Sequence, residues 1–229
     1  MLEKHFRLFK VPMPIETWHR LPRNGAYKYE YINGQAVIEP RPHCQDVVLD
    51  LEAFRAPETD GWEKWEVRPL LEQDWAGLPR LMASAFYGVA PFSTFNEEEM
   101  AAAVADCVKT TRGGGDGELL PEACRVLTGR WMGEGAPQGM GAALVTLIRH
   151  EVVEGVVPLL TWIFILPLMK RRGGGVELLS AVVAALRAMG HRKLVSVVCT
   201  GNHASMAWHW HMGFVMGPTI REKVRARRD

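Results

Sequence analysis

The hydrophobic pattern changes period several times along the chain. Residues 159–166 form an apolar run, interrupted only by Thr161, with β-branched and aromatic members. That length and composition predict a strand buried on both faces. Pro167 has no amide to give a ladder and ends it. From Leu178 the period becomes helical. Leu178, Leu179, Val182, Val183, Leu186 and Met189 share one stripe, and Gly190 stands where a glycine stops a helix. Residues 193–200 are again almost continuously apolar, which predicts a second buried strand. A helix follows over 202–212, ended by Gly213, and 214–217 and 219–227 read as closing strands.

Upstream of this block the signals are shorter. Residues 62–69 read as a strand, and Asp74 as the N-cap of a helix carrying Leu78, Leu81, Met82 and Phe86. Glu97, Glu98 and Glu99 open a second helix, their charges at its positive end, which runs to about residue 110. Residues 124–131 and 140–149 predict an antiparallel pair. Between them and the second helix, the glycine-rich 112–117 reads as a flexible connection. The sum is an α/β fold: a mixed, mostly antiparallel central sheet with helices on both faces.

Residues 1–61 are rich in proline and stand apart as an N-terminal extension, with 62–229 as the main domain. The clear element of the extension is a β-hairpin over 27–39, turning at Asn33-Gly34. An isolated hairpin is marginal in water, so Tyr27, Tyr29, Tyr31, Val37 and Ile38 need a surface. That surface is the main domain, a second subunit in a homodimer, or the cleft of the main domain. Residues 21–42 faintly resemble the opening hairpin of restriction-endonuclease-like proteins. No nuclease carboxylate cluster follows, so no nuclease chemistry is carried over.

Composition narrows the partners. Lys and Arg number 27 against 26 Asp and Glu, a formal charge of +1, which argues against a general nucleic-acid partner. No apolar stretch reaches the ~18 residues of a membrane span. Cys44, Cys107, Cys124 and Cys199 are scattered without a C-x-x-C pair, and read as reduced thiols of a cytoplasmic protein rather than a metal site or disulfide frame.

The turn between the 159–166 strand and the next helix carries the chemistry. Lys170, Arg171 and Arg172 lead into Gly173, Gly174 and Gly175. Free amides at a helix start, the macrodipole and the absence of Cβ atoms together suit phosphate groups. The nucleoside-triphosphate loop G-x-x-x-x-G-K-[ST] is absent, and so is the third glycine of G-x-G-x-x-G. The turn resembles the acyl-CoA loop of the GNAT N-acetyltransferases, [Arg/Gln]-x-x-Gly-x-[Gly/Ala] after a strand ending in apolar-x-Pro, with Lys170 in the first position. A second segment of that family, Asn-x-x-[Ala/Ser]-x-x-x-Tyr-x-x-x-Gly-Phe, is matched at Asn202, Ser205, Gly213 and Phe214, with His209 in place of Tyr. The two segments are one helix and one strand apart, as the family has them, and the resemblance runs over about 62–217.

The resemblance implies an N-acetyltransferase that moves an acetyl group from acetyl-CoA, as co-substrate, to a primary amine by direct attack in a ternary complex. The acceptor is a small-molecule or protein amine. It further implies diphosphate contacts from the amides of Arg171 to Val176, with Lys170 beside them. Backbone contacts to pantetheine fall to Phe164, Ile165 and Leu166, and further CoA contacts to Asn202 and Ser205. His209 would give a hydrogen bond or a proton to the departing thiolate, and Glu154 is the carboxylate named as base. No metal is implied, since His209 and His211 leave a helix about 200° apart. The Tyr-to-His departure and the missing obvious base keep a second class open, a non-catalytic acyl-CoA sensor or scaffold.

Overall fold

The computed structural model describes residues 8–23, 27–40, 44–59, 65–130, 137–150, 155–199 and 201–217. Two sheets account for the strands. A small antiparallel sheet of order β1-β3-β2 joins β1 (Phe9–Pro12), β2 (Tyr27–Ile32) and β3 (Gln35–Pro40). The hairpin turns at Asn33 and Gly34, both with positive φ. A short helix, α1 (Ile15–Arg20), buries Trp18 against Tyr29 and Tyr31, and Arg23 lies 4.0 Å over the Trp18 ring.

The large sheet is built from β4 (Cys44–Asp50), β5 (Trp65–Pro69), β6 (Glu118–Leu119), β7 (Arg125–Gly129), β8 (Gln138–Arg149), β9 (Val156–Ile165), β10 (Lys193–Cys199) and β11 (Val215–Met216). Its order is β11-β4-β10-β9-β8-β7-β5, with β6 against β8. Every pair is antiparallel except β9 with β10. The mixed, mostly antiparallel sheet expected from sequence is present.

Helices α2 (Leu78–Phe86) and α3 (Glu97–Arg112) cover one face of this sheet, and α4 (Gly174–Ala188) and α5 (His203–His211) the other. Against the first face pack Met82, Phe92, Met100 and Val104, meeting Ala142, Leu144, Trp162 and Phe164. Against the second pack the α4 residues Leu178, Leu179, Val182, Val183 and Leu186, meeting Leu127, Val145, Leu160 and Leu194. The helical stripe read from sequence is therefore the core face of α4, except that Met189 is 37% exposed past its end.

Three local expectations are corrected. First, β4 comes from the segment set apart as an extension, yet it pairs with β10 along its whole length, from Lys193↔Asp50 to Cys199↔Cys44. Val47, Leu49, Leu51 and Phe54 are buried in the core of the main sheet. Second, Asp74 does not cap α2. Both its oxygens are held by the Arg68 guanidinium at 2.7 Å, one of them also accepts from the Leu71 amide, and α2 starts after Gly77. Third, residues 112–117 are tied down rather than loose. The Thr111 hydroxyl donates to Asp116 at 2.7 Å, the Trp162 indole donates to Thr111, and Asp116 is 5% exposed. Residues 219–227, expected as a closing strand, lie outside the described residues.

Candidate active site

Parallel pairing of β9 and β10 stops early. Leu159 pairs with Val195 and Leu160 with Ser196, and no pairing of these strands continues beyond. At the same point β9 bulges against β8, since Leu144 faces Trp162 and Val145 faces Leu160 with Thr161 extra. A bulge bends its strand and strengthens the twist. The strands diverge above it and leave a cavity of about 410 Å³. One wall is β9 from Leu160 to Ile165, another is Ser196, Val197 and Cys199 of β10. Phe86, Val89 and Pro91 close it from the α2 side, and Ser205, Trp208 and His209 from α5. A wider hollow of about 580 Å³ lies between residues 52–56 and α4. Its two guanidiniums are spent on main-chain carbonyls, Arg55 on Glu52 and Phe54 and Arg187 on Leu51 and Phe54, so it presents a structural clamp.

The backbone of β9 supplies polar groups to the cavity. The Leu166 amide donates to the Met140 carbonyl at 2.8 Å, toward β8. Strand alternation then turns Phe164 toward β8 as well, and turns the N–H and C=O of Ile163 and Ile165 into the gap. Of the three residues expected to meet pantetheine through their backbone, Ile165 turns its polar groups into the gap. The Leu166 amide is committed, and Phe164 gives a side chain to the cavity wall. Ile163 was missed because its placement depends on the β8 register.

The basic glycine turn stands at the open end. Lys170, Arg171 and Gly175 line the cavity. Pro167–Met169 form a single 3₁₀ turn, Arg171 adopts φ 63° and Gly173 φ 88°, and α4 begins at Gly174. Gly173 is the left-handed N-cap of the helix, a conformation open to glycine at no steric cost. The Val176 amide is already bonded to the Gly173 carbonyl at 2.8 Å, so it is not one of the free donors expected there. The amides of Gly174 and Gly175 belong to the first turn, before intrahelical bonding begins. A Cβ on Gly175 would lie 3.1 Å from Trp208 Nε1, so the turn and α5 are in close contact. Arg172 is exposed and points to no wall of the cavity.

Asn202 and Ser205 line the cavity and also build α5. Asn202 is its N-cap, its side chain accepting from the Ser205 amide at 3.0 Å. This opens the helix that carries His209. His209 is 3% exposed, its ring against Trp208 and Phe214 at centroid distances of 4.9 and 4.8 Å. Its Nδ1 is 2.7 Å from the Ser205 carbonyl, which can only accept, so Nδ1 carries the proton. Nε2 is then an acceptor, 3.1 Å from Ser196 Oγ, whose single hydroxyl proton is shared between it and the Leu160 carbonyl at 3.4 Å. Burial holds the pKa of His209 below the ordinary histidine value, with the bond to the Ser205 carbonyl pulling the other way. The resemblance implies a hydrogen bond or a proton from this residue to the departing thiolate; in the neutral ring the one N–H is tied to the main chain and Nε2 is left as an acceptor. Ser196 was missed altogether, since a lone serine in an apolar strand carries no pattern. Glu154 lies outside the described residues. His203 and His211 are exposed on other sides of α5, and among the described residues no group of three or more His, Cys, Asp or Glu converges on a metal position.

No protein-family model and no curated protein matches the sequence. Solved structures do. A GCN5-related N-acetyltransferase from Sphaerobacter thermophilus superposes with a TM-score of 0.52 at 14% identity, over 92% of this chain and 57% of that one. This chain therefore spans a little over half the length of that protein. A protein from Pyrococcus horikoshii OT3 superposes with a TM-score of 0.52 at 12% identity, over 68% of this chain and 92% of that one. An aminoglycoside N-acetyltransferase in complex with CoA gives 0.48 at 16% identity, over 71% and 95%. The chain has the GNAT N-acetyltransferase fold. Among the described residues, no helix is long and apolar enough to cross a membrane.

Proposed function

We propose that the protein is an acetyl-CoA-dependent N-acetyltransferase acting on a primary amine. The observation that carries the reading is the cavity itself. It lies in the gap between β9 and β10, has the backbone groups of Ile163 and Ile165 turned into it along one wall, and meets a glycine-headed, basic helix start. A linear acyl thioester with a diphosphate at its far end fits those features in that order. Thioester and pantetheine would lie along β9, with an amide of Ile163 or Ile165 on the acyl oxygen. Lys170, Arg171 and the amides around Gly173 to Gly175 would hold the diphosphate.

The amine, small-molecule or protein-borne, would enter from the side of Phe86, Val89 and Pro91. Its neutral nitrogen attacks the thioester carbon. The nitrogen proton passes to His209 Nε2, directly or through the Ser196 hydroxyl. Collapse of the adduct breaks the carbon–sulfur bond and leaves a thiolate. The imidazolium, its pKa below ~6.5, then yields its proton to a thiolate whose acid has a pKa near ~8.5, which is downhill. Ring and hydroxyl return to their starting state, and no metal takes part. In this reading His209 is base first and acid second, so Glu154 is not needed for either step.

The commitment of the His209 N–H to the Ser205 carbonyl favours one alternative, an acyl-CoA sensor without turnover. Purified protein with acetyl-CoA separates the two. At ligand about a hundredfold above Kd the native state gains ~2.7 kcal/mol, so melting moves upward in either reading. Release of free thiol on addition of amines from a panel is expected for the enzyme. A melting shift without thiol release across the panel selects the sensor, and no shift at all overturns both.

A further inference from the structure

The cavity wall contains a second chemical group that acetyl transfer does not use. Cys199 ends β10 and lines the cavity, and the residue directly opposite it on β4 is Cys44. Opposite residues of an antiparallel pair have Cα atoms ~4.5–5.5 Å apart and side chains on the same face. A disulfide needs ~4.4–6.8 Å, so the backbone already holds the spacing of a closed bond. Neither is in a disulfide. They are also in contact, since the Cys44 side chain hydrogen-bonds Cys199 and is the largest influence holding the Cys199 thiol down to about 7. The amides of Gly201 and Asn202 assist, and burial opposes them. The other two cysteines behave differently. Cys107, on the buried side of α3, and Cys124 lie in the core that α2 and α3 cover, and burial pushes the Cys124 thiol up to about 11.

We propose that Cys44 and Cys199 are a thiol–disulfide exchange pair, a modification site at the cavity that small-molecule disulfides close and thiols reopen. The Cys199 thiolate, reached through the cavity, attacks one sulfur of the reagent and expels the other half as a thiolate, leaving a mixed disulfide. Cys44 loses its proton to solvent, attacks the Cys199 sulfur and expels the second half. Two protein thiols and one disulfide become one protein disulfide and two small thiols, and nothing further is consumed. Closure bolts the N-terminal strand β4 to the strand that lines the cavity. It also removes the thiolate that lies near the Gly201 and Asn202 amides, at the turn that starts α5.

The test uses the full chain and oxidised glutathione, followed by alkylation and peptide mapping. The expected product is a cross-link between the peptides of Cys44 and Cys199, reversed by dithiothreitol, with Cys107 and Cys124 still alkylated only after denaturation. In Cys44→Ser, glutathione is expected to remain attached at Cys199, because nothing can displace it. Cys44 and Cys199 both free under conditions that oxidise a soluble dithiol would overturn the proposal. So would a wild-type protein that stops at the mixed disulfide, or a cross-link involving Cys107 or Cys124. The wild-type map decides by itself if a variant fails to fold.

Discussion

Burial disfavours the charged form of His209, and that has a consequence for stability as well as chemistry. Its native pKa lies below the value of ~6.5 expected in the unfolded chain. Between those two values the unfolded state binds more protons, so stability rises with pH. Melting temperature is accordingly expected to fall as pH drops below ~6.5, and to fall less steeply in His209→Gln, which has no imidazole to protonate. Equal slopes in melts of the two proteins would show that the ring is not held neutral. The same variant tests catalysis: kcat is expected to drop ~10²–10⁴-fold with the acetyl-CoA melting shift retained. Ser196→Ala should move kcat in the same direction if its hydroxyl carries the proton, and leave it alone if the amine meets Nε2 directly. Rates for the two variants on one amine separate those routes. The position of His209 could be read from the spacing to Gly213 and Phe214. Its tautomer could not, because that depends on which oxygen, Ser205 carbonyl or Ser196 hydroxyl, each nitrogen meets.

At the scale of elements, the turn before α4 does its work through conformation and clearance. Gly173 has φ 88°, and a Cβ there would meet Thr59 at 3.0 Å. Left-handed backbone costs a non-glycine residue roughly 1–2 kcal/mol. Gly173→Val is therefore expected to lower the melting temperature of the free protein and also to abolish its shift with acetyl-CoA. Gly175 has ordinary backbone and a different neighbour, Trp208 Nε1 at 3.1 Å. Gly175→Val is expected to displace that indole from the cavity wall and remove the acetyl-CoA shift with a smaller effect on the free protein. Normal shifts in both variants would refute the assignment of the diphosphate to this turn. Strand, basic glycine turn and helix were legible because each has its own period. The bulge at Thr161 was not, because it is a property of β9 against β8 and not of β9 alone.

For the whole molecule, the N-terminal segment contributes strands to both sheets, β1 to β3 to the small one and β4 to the large one. The small sheet contributes a contact to the main domain through the Tyr27 and Ser93 hydroxyls, 2.9 Å apart. In contrast, β4 lies between β10 and β11 and feeds Val47 and Leu49 into the core. Arg187 of α4 reaches the carbonyl of Leu51 at 2.6 Å, just beyond that strand. Deleting residues 1–40 is expected to leave a folded domain whose melting temperature still responds to acetyl-CoA. Deleting 1–55 is expected to yield insoluble or unfolded protein, because it exposes the β10 edge and opens the core. Circular dichroism of the two truncations checks this, and a folded 1–55 deletion would show that β4 is dispensable.

Local pattern alone determined α2 to α5, the buried strands β9 and β10, the hairpin and the basic glycine turn. Each of these is specified by residues close in sequence, through periodicity, proline and glycine. The place of β4 was decided only in three dimensions. Its partner Cys199 is far along the chain from Cys44, and a short strand in a proline-rich segment carries no mark of which edge it will join. The same holds for the cavity, which exists because two strands that begin in register stop pairing after Ser196. It holds as well for the pairing of Ser196 with His209 and of Cys44 with Cys199. Side-chain chemistry is written in the sequence, but which groups share a wall depends on register between distant strands.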